Sequence, residues 1–321
     1  MIHRLKILFI LSFAISIQLN AQVPIILDAD LDSDVDDVGA LAMLHTLEDN
    51  HRIKILGVVV TSDDLDAPAC AAAINTYYGK PDIPIGIENG VALRSFSKYT
   101  KTLANTFPHP LKEGRQPEDA TQLYRRLLAN SPDNSVIIIS IGHLTNVRNL
   151  LESKPDDASP LDGKELIKKK VKLWSCMGGQ FPKGKEANFY RPDPQSTQVS
   201  VKNWPGEVIF SGWEIGNDII TGADFLKNAL STEHPVSLAY KLFNGYSGRQ
   251  SWDQTSILVA LSEKKYWNLS SKGNVIVNKD GSNTWQEDPN GLHQYLIESL
   301  PPSEIAKIID ALMIGIYRPG F

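Results

Sequence analysis

The sequence predicts an α/β fold: a single domain with a mostly parallel, mixed central sheet flanked by helices. Three observations carry that prediction. Apolar runs such as "VPIIL" (Val23–Leu27), "IKILGVVVT" (Ile53–Thr61) and "SVIIISIG" (Ser135–Gly142) lack polar alternation, as strands covered on both faces do. Helical patterns separate these runs, and polar or glycine-rich loops follow them. In such folds ligands collect at the carboxyl ends of the strands. Here those ends carry the aspartate-rich "DADLDSDVDD", then "TSDDLD", "SIGHLTN" and "SCMGGQF".

The elements follow in order. After the first strand and its aspartate loop, "DDVGALAMLHTL" sets Val38, Leu41, Leu44 and Leu47 on one helical face. Ile53–Thr61 is a second core strand, "APACAAAINTYYG" a helix and "IPIGI" a short third strand. "EDATQLYRRLLANS" reads as a helix, "SVIIISIG" as another buried strand and "HLTNVRNLLES" as the start of the next helix. The second half is less regular. "KKVKLWSCMGG" and "GEVIFSG" read as strands; "HPVSLAYKLFNG" and "WDQTSILVALSEKK" read as helices, the latter opening on Trp252-Asp253. "NVIVN" and "SNTWQED" suit a late hairpin, and "PPSEIAKIIDALMIGIY" a closing helix with proline in its first turn. No repeat or long linker divides the chain, so residues 22–321 read as one domain.

Composition narrows the function. The 321 residues carry a net charge of −5 and no basic stripe, which argues against a nucleic-acid partner bound through its phosphates. Residues 1–21 read as a signal peptide: Arg4 and Lys6, an apolar core from Ile7 to Ile17, and a small residue, Ala21, at the cleavage point. A spanning anchor needs roughly 20 apolar residues, so no membrane association is expected after cleavage. Export to a periplasm or the outside is the expectation. Cys70 and Cys176 read as two buried thiols, although one bridge is compatible with an oxidising compartment.

The ten residues Asp28–Asp37 hold six aspartates: Asp28, Asp30, Asp32, Asp34, Asp36 and Asp37. Repulsion at such density requires a cation between them or protonation of some. A helix-loop-helix calcium loop counted from Asp28 fails, with Ser33 at the glycine position and Gly39 at the terminal glutamate position. An Asp-x-Asp phosphotransferase opening fits "LDADLDS" but leaves Asp36-Asp37 unexplained.

A third reading explains more residues. The chain resembles the nucleoside N-ribohydrolase family, in a variant with Asp-x-Asp followed by Asp-x-Asp-Asp and a helix. The resemblance implies a Rossmann-like nucleoside hydrolase fold and one calcium ion held by the aspartates, binding the ribose 2′ and 3′ hydroxyls and the attacking water. "IGHLTN" is similar to the family's Gly-x-Leu-Thr-Asn segment, which implies a backbone carbonyl ligand at Thr145; alone, "LTN" is also a helix cap. "MGG" with "KEANFYRPDP" looks like the family's ribose-binding segments, which implies substrate contacts at Met177, Glu186 and Asn188. "WDQTSILVAL" is similar to the family's last metal segment, implying Asp253 as a ligand. The implied metal set is Asp30, Asp36, Asp37, Thr145 and Asp253. A homodimer or homotetramer is a further implication.

Departures sharpen the expectation. The loop is two residues longer than usual, which leaves open whether Asp32, Asp34 or Asp36 ligates. The histidine that many members place before the last aspartate is Trp252 here, and counting from Gly57 puts Asp64 where many carry asparagine. A purine-preferring branch resembles the chain at both points, with a tryptophan that stacks on the base and an aspartate near the ribose. The family's asparagine for the 5′-hydroxyl is not evident, because Lys183-Gly184-Lys185 fills a shorter loop. The expected reaction is calcium-dependent hydrolysis of ribonucleosides, purines foremost, with Asp30 as general base and Trp252 activating the leaving base. The alternatives are a secreted non-catalytic calcium and ribose binder, or a hydrolase of another ribosyl or glycosyl bond.

Overall fold

A computed structural model describes residues 22–88, 90, 97–261 and 266–318. The proposed signal peptide, and residues 262–265 at the end of the helix expected after Trp252, lie outside them.

The described strands form one twelve-stranded sheet and a separate two-stranded ribbon. From one edge the large sheet runs Glu118–Asp119, Ile85–Ile87, Ile53–Val60, Val23–Ala29, Val136–Ser140, Val171–Met177, Val208–Ser211 and His293–Glu298, every neighbouring pair parallel. Beyond these, Gly273–Val277, Asn283–Glu287 and Lys183–Gly184 continue antiparallel, and Trp267–Leu269 pairs antiparallel with His293–Glu298 as the twelfth strand, so the sheet is mixed as expected. The late hairpin is present, with Val275 opposite Trp285. His293–Glu298 is an element the apolar pattern did not reveal. Only His293 and Leu296 of it are buried, and its place depends on pairing with Val208–Ser211, far away in sequence.

Side-chain alternation explains why the central strands read as continuous apolar runs. Ile25, Leu27, Ile137 and Ile139 enter the core on one face, while Ile26, Ile138, Trp174 and Phe210 enter the core on the other. Both faces are covered by helices, so neither parity of position is free to be polar. Cys70 and Cys176 are buried and unpaired. Among the described residues no helix is long and apolar enough to cross a membrane.

The strand order also locates the site. Val23–Ala29 lies between Ile53–Val60, reached first, and Val136–Ser140, reached after the chain has returned from the far edge. Crossovers on either side of it leave in opposite directions, which opens a crevice at its carboxyl end. The aspartate loop begins there.

Candidate active site

The six aspartates take different partners. Asp28 faces back into the core, accepting hydrogen bonds from the Tyr124 hydroxyl (2.8 Å) and Asn146 Nδ2 (3.2 Å); burial raises its pKa to about 7. Asp32 is buried and accepts from Ser62 Oγ at 2.8 Å. Asp34 is held by Arg249, whose Nε lies 2.8 and 2.9 Å from its two carboxylate oxygens, and whose Nη2 also bonds it. Between them Leu31 adopts a left-handed backbone (φ 49°), and its N–H donates to Asp37 Oδ1 at 3.2 Å. That turn costs a non-glycine residue local strain, here repaid by fixing the loop against the helix Asp36–Asp49.

Asp36 and Asp37 occupy the first turn of that helix, where its dipole favours negative charge. Asp253 is the second residue of the helix Trp252–Leu261. One carboxylate oxygen from each of the three lies within 4.8 Å of the others, and all three residues are buried. Burial, reinforced by neighbouring aspartates, raises each pKa well above the usual carboxylate range. At this spacing each pair of charges repels by on the order of 3 kcal/mol at an effective dielectric constant of 20. The nearby cation, Arg249, is committed to Asp34. A buried, all-oxygen donor set of this kind fits a hard divalent cation such as calcium.

A cavity of about 320 Å³ opens over these carboxylates, lined on its acidic side by Asp30, Asp34, Asp36, Asp37 and Asp253. Asp30 is half-buried, and its carboxyl is within hydrogen-bonding reach of Asp37. Met177, Glu186, Asn188 and Arg191 also line it. Glu186 is fixed by backbone N–H groups of Gly179 (3.0 Å) and Asn188 (2.7 Å), and burial raises its pKa to about 7. Asn188 donates to the Ile141 carbonyl (3.1 Å) and to Met177 Sδ (3.2 Å). Trp213, Arg249 and Trp252 complete the enclosure. The Trp252 indole N–H donates to the Trp213 carbonyl at 2.9 Å. Gly216 permits this packing: a Cβ there would lie 2.5 Å from Trp252 Cα.

Of the residues singled out from sequence, Asp30, Asp36, Asp37, Met177, Glu186, Asn188, Trp252 and Asp253 meet in this cavity. Asp64 does not. Its carboxylate accepts from Thr100 Oγ1 (2.6 Å) and the Asp66 N–H (2.9 Å), in a neighbouring cleft rather than in the lining of this cavity. Thr145 is outside the cavity lining. It is the first helical residue rather than a cap, and its hydroxyl accepts from His143 Nδ1 (2.9 Å) while donating to Asp193 (3.0 Å). His143 is accordingly a buried structural histidine. Arg191, Trp213 and Arg249 were not anticipated. Arg249 had one local signal, its place three residues before Trp252.

Residues 25–291 match the sequence profile of the family described as inosine-uridine preferring nucleoside hydrolase. No curated protein is significantly similar in sequence. Solved structures with the same fold include the inosine-uridine preferring nucleoside hydrolase of Bacillus anthracis (14% identity, 92% of this chain and 100% of that one, TM-score 0.70). Others are the purine-preferring ribonucleoside hydrolase of Gardnerella vaginalis (15%, 91% and 98%, TM-score 0.68) and the type III effector XopQ complexed with adenosine diphosphate ribose (14%, 92% and 94%, TM-score 0.66). At these identities the likeness is one of fold.

Proposed function

Because this chain belongs to the family of inosine-uridine preferring nucleoside hydrolases, we propose that it is a calcium-dependent hydrolase of the N-glycosidic bond of ribonucleosides, with purines preferred. The observation that carries this reading is the convergence of Asp36, Asp37 and Asp253 beneath a cavity large enough for a sugar. Those three carboxylates, joined by Asp30, would hold the ion. Bound there, calcium supplies a Lewis acid that anchors the vicinal diol and eases ionisation of the attacking water.

The remaining work falls to side chains. Asp30, half-buried at the cavity surface, accepts the proton of the attacking water. Glu186 and Asn188, already fixed by backbone bonds, orient the sugar hydroxyls without further ordering. Trp252 offers an indole to the base, and stacking favours a purine for its larger ring area. Export after cleavage near Ala21 and assembly as a homodimer or homotetramer belong to the same proposal. The first rests on residues 1–21 and the second on family resemblance.

A second reading, cleavage of a different ribosyl bond, draws support from the guanidinium of Arg249 lying over the Trp252 ring, where it takes one of the two faces open to a base. The adenosine diphosphate ribose bound to XopQ supports it by analogy. Reducing-sugar release from inosine, adenosine, guanosine, uridine and cytidine, with calcium and with chelator, tests the main reading. Calcium-dependent release confined to purines is expected. No release despite stoichiometric calcium binding would leave the second reading or a non-catalytic binder.

A further inference from the structure

We propose that the cavity takes a ribosyl compound phosphorylated at its 5′ carbon, with Arg191 receiving the phosphate. The inference rests on the ribosyl-hydrolase reading above and names the substrate class within it.

Two anchors orient the sugar. With the diol over Asp36, Asp37 and Asp253 and the base toward Trp252, the 5′ carbon is left to face the segment from Glu186 to Arg191. Arg191 lines the cavity there and is exposed. Among the described residues its guanidinium makes no ion pair; it lies 5.9 Å from the Tyr190 ring centroid and close enough to Glu186 to favour that carboxyl's charged form. The acids that flank it in sequence are already occupied. Asp193 is bonded by Ser196 and Thr145, and Glu186 by the backbone of Gly179 and Asn188.

A neutral nucleoside gives this guanidinium nothing to pair with, whereas a phosphate matches its fork of donors. The edge strand Lys183–Gly184 and Lys185 add positive charge nearby, Lys185 lying 5.3 Å from the same Tyr190 ring and paired with Asp280 at 3.1 Å. Burial raises the Glu186 pKa to about 7, which weakens the negative charge it sets on that wall. In the reaction the C1′–N bond breaks with its electron pair passing to nitrogen. Water's oxygen bonds C1′, its proton passes to Asp30, and the phosphate stays intact.

Hypoxanthine release from inosine 5′-phosphate and from inosine, with the full chain in calcium, tests this directly. A charge-assisted contact predicts a kcat/KM ratio of roughly 10 to 100 in favour of the phosphate ester. Arg191→Ala should bring that ratio close to one, and Arg191→Lys should keep part of it. Inosine cleaved as fast as its phosphate, or faster, overturns the proposal and leaves the hydrolase reading intact. If neither is cleaved, calorimetric binding of ribose 5-phosphate against ribose decides. Tighter binding of the phosphate that Arg191→Ala abolishes supports the proposal while the hydrolase reading fails; equal affinities overturn it.

Discussion

Arg249 lies with its guanidinium carbon 4.9 Å from the Trp252 ring centre, and Asp34 grips the same guanidinium. Asp34 belongs to the aspartate loop, so that loop holds the cation which packs against an aromatic wall of the cavity. A cation held on one face of an indole leaves the other face as the stacking surface.

Trp252 is therefore predicted to contribute chiefly through the base. Trp252→Ala should lower kcat/KM for purine substrates by roughly 5- to 100-fold, the size of a lost base stack, and Trp252→Phe should restore most of it. Pyrimidine substrates, with smaller rings, should lose less. Steady-state kinetics on paired purine and pyrimidine substrates check this. An equal loss for both would make Trp252 a packing residue only.

Asp37 is predicted to trade stability for metal. Asp37→Asn keeps an oxygen for the Leu31 N–H but removes one of three converging charges. Calorimetry should show calcium affinity lost by at least tenfold. In chelator, the same variant should melt above the wild type, by roughly 2–4 °C for each kcal/mol of repulsion relieved. A lower melting temperature in chelator would mean that the three carboxylates are stabilised by contacts other than a cation.

The parts of this site that were legible in the sequence are those set by local pattern. Val23–Ala29 is apolar on both faces, and Asp36-Asp37 opens a helix whose period is plain, so strand, loop and helix could be placed without coordinates. Asp30, Glu186, Asn188 and Asp253 were accessible only through an ordered set of motifs. What escaped depends on long-range partners. Arg249 meets Asp34 across 215 positions, and His293–Glu298 joins the sheet only by pairing with Val208–Ser211.

Asp64 illustrates the same limit. Counting from Gly57 assumes a loop path, but Thr100, 36 residues on, draws the carboxylate into another cleft. Asp64→Ala should consequently cost about 1 kcal/mol of stability through its lost turn and Thr100 contacts, and change KM by less than about twofold. Denaturant melts and kinetics with a ribonucleoside check both halves. A tenfold rise in KM at unchanged stability would return Asp64 to the ribose.

The dependence of stability on pH should reverse its sign with calcium. In the metal-free chain Asp36, Asp37 and Asp253 have folded pKa values well above the usual 3.8, because burial and then neighbouring aspartates disfavour their charged forms. Asp28 and Glu186, at about 7, shift in the same direction. The folded chain then binds more protons than the unfolded one between about pH 4 and these raised values. Stability from these groups is full below the unfolded pKa and is lost as pH rises through the folded values. Calcium requires the deprotonated carboxylates, so its contribution grows as pH rises, by about 4 kcal/mol once its concentration reaches a thousand times Kd. Above about pH 6.5, where His45, His234 and His293 (folded values about 4) no longer titrate in either state, melting curves should fall toward pH 8 in chelator, and the gap to the calcium curve should widen. Two superimposed curves would remove calcium from the site; a constant gap across the range would place the ion away from the buried carboxylates.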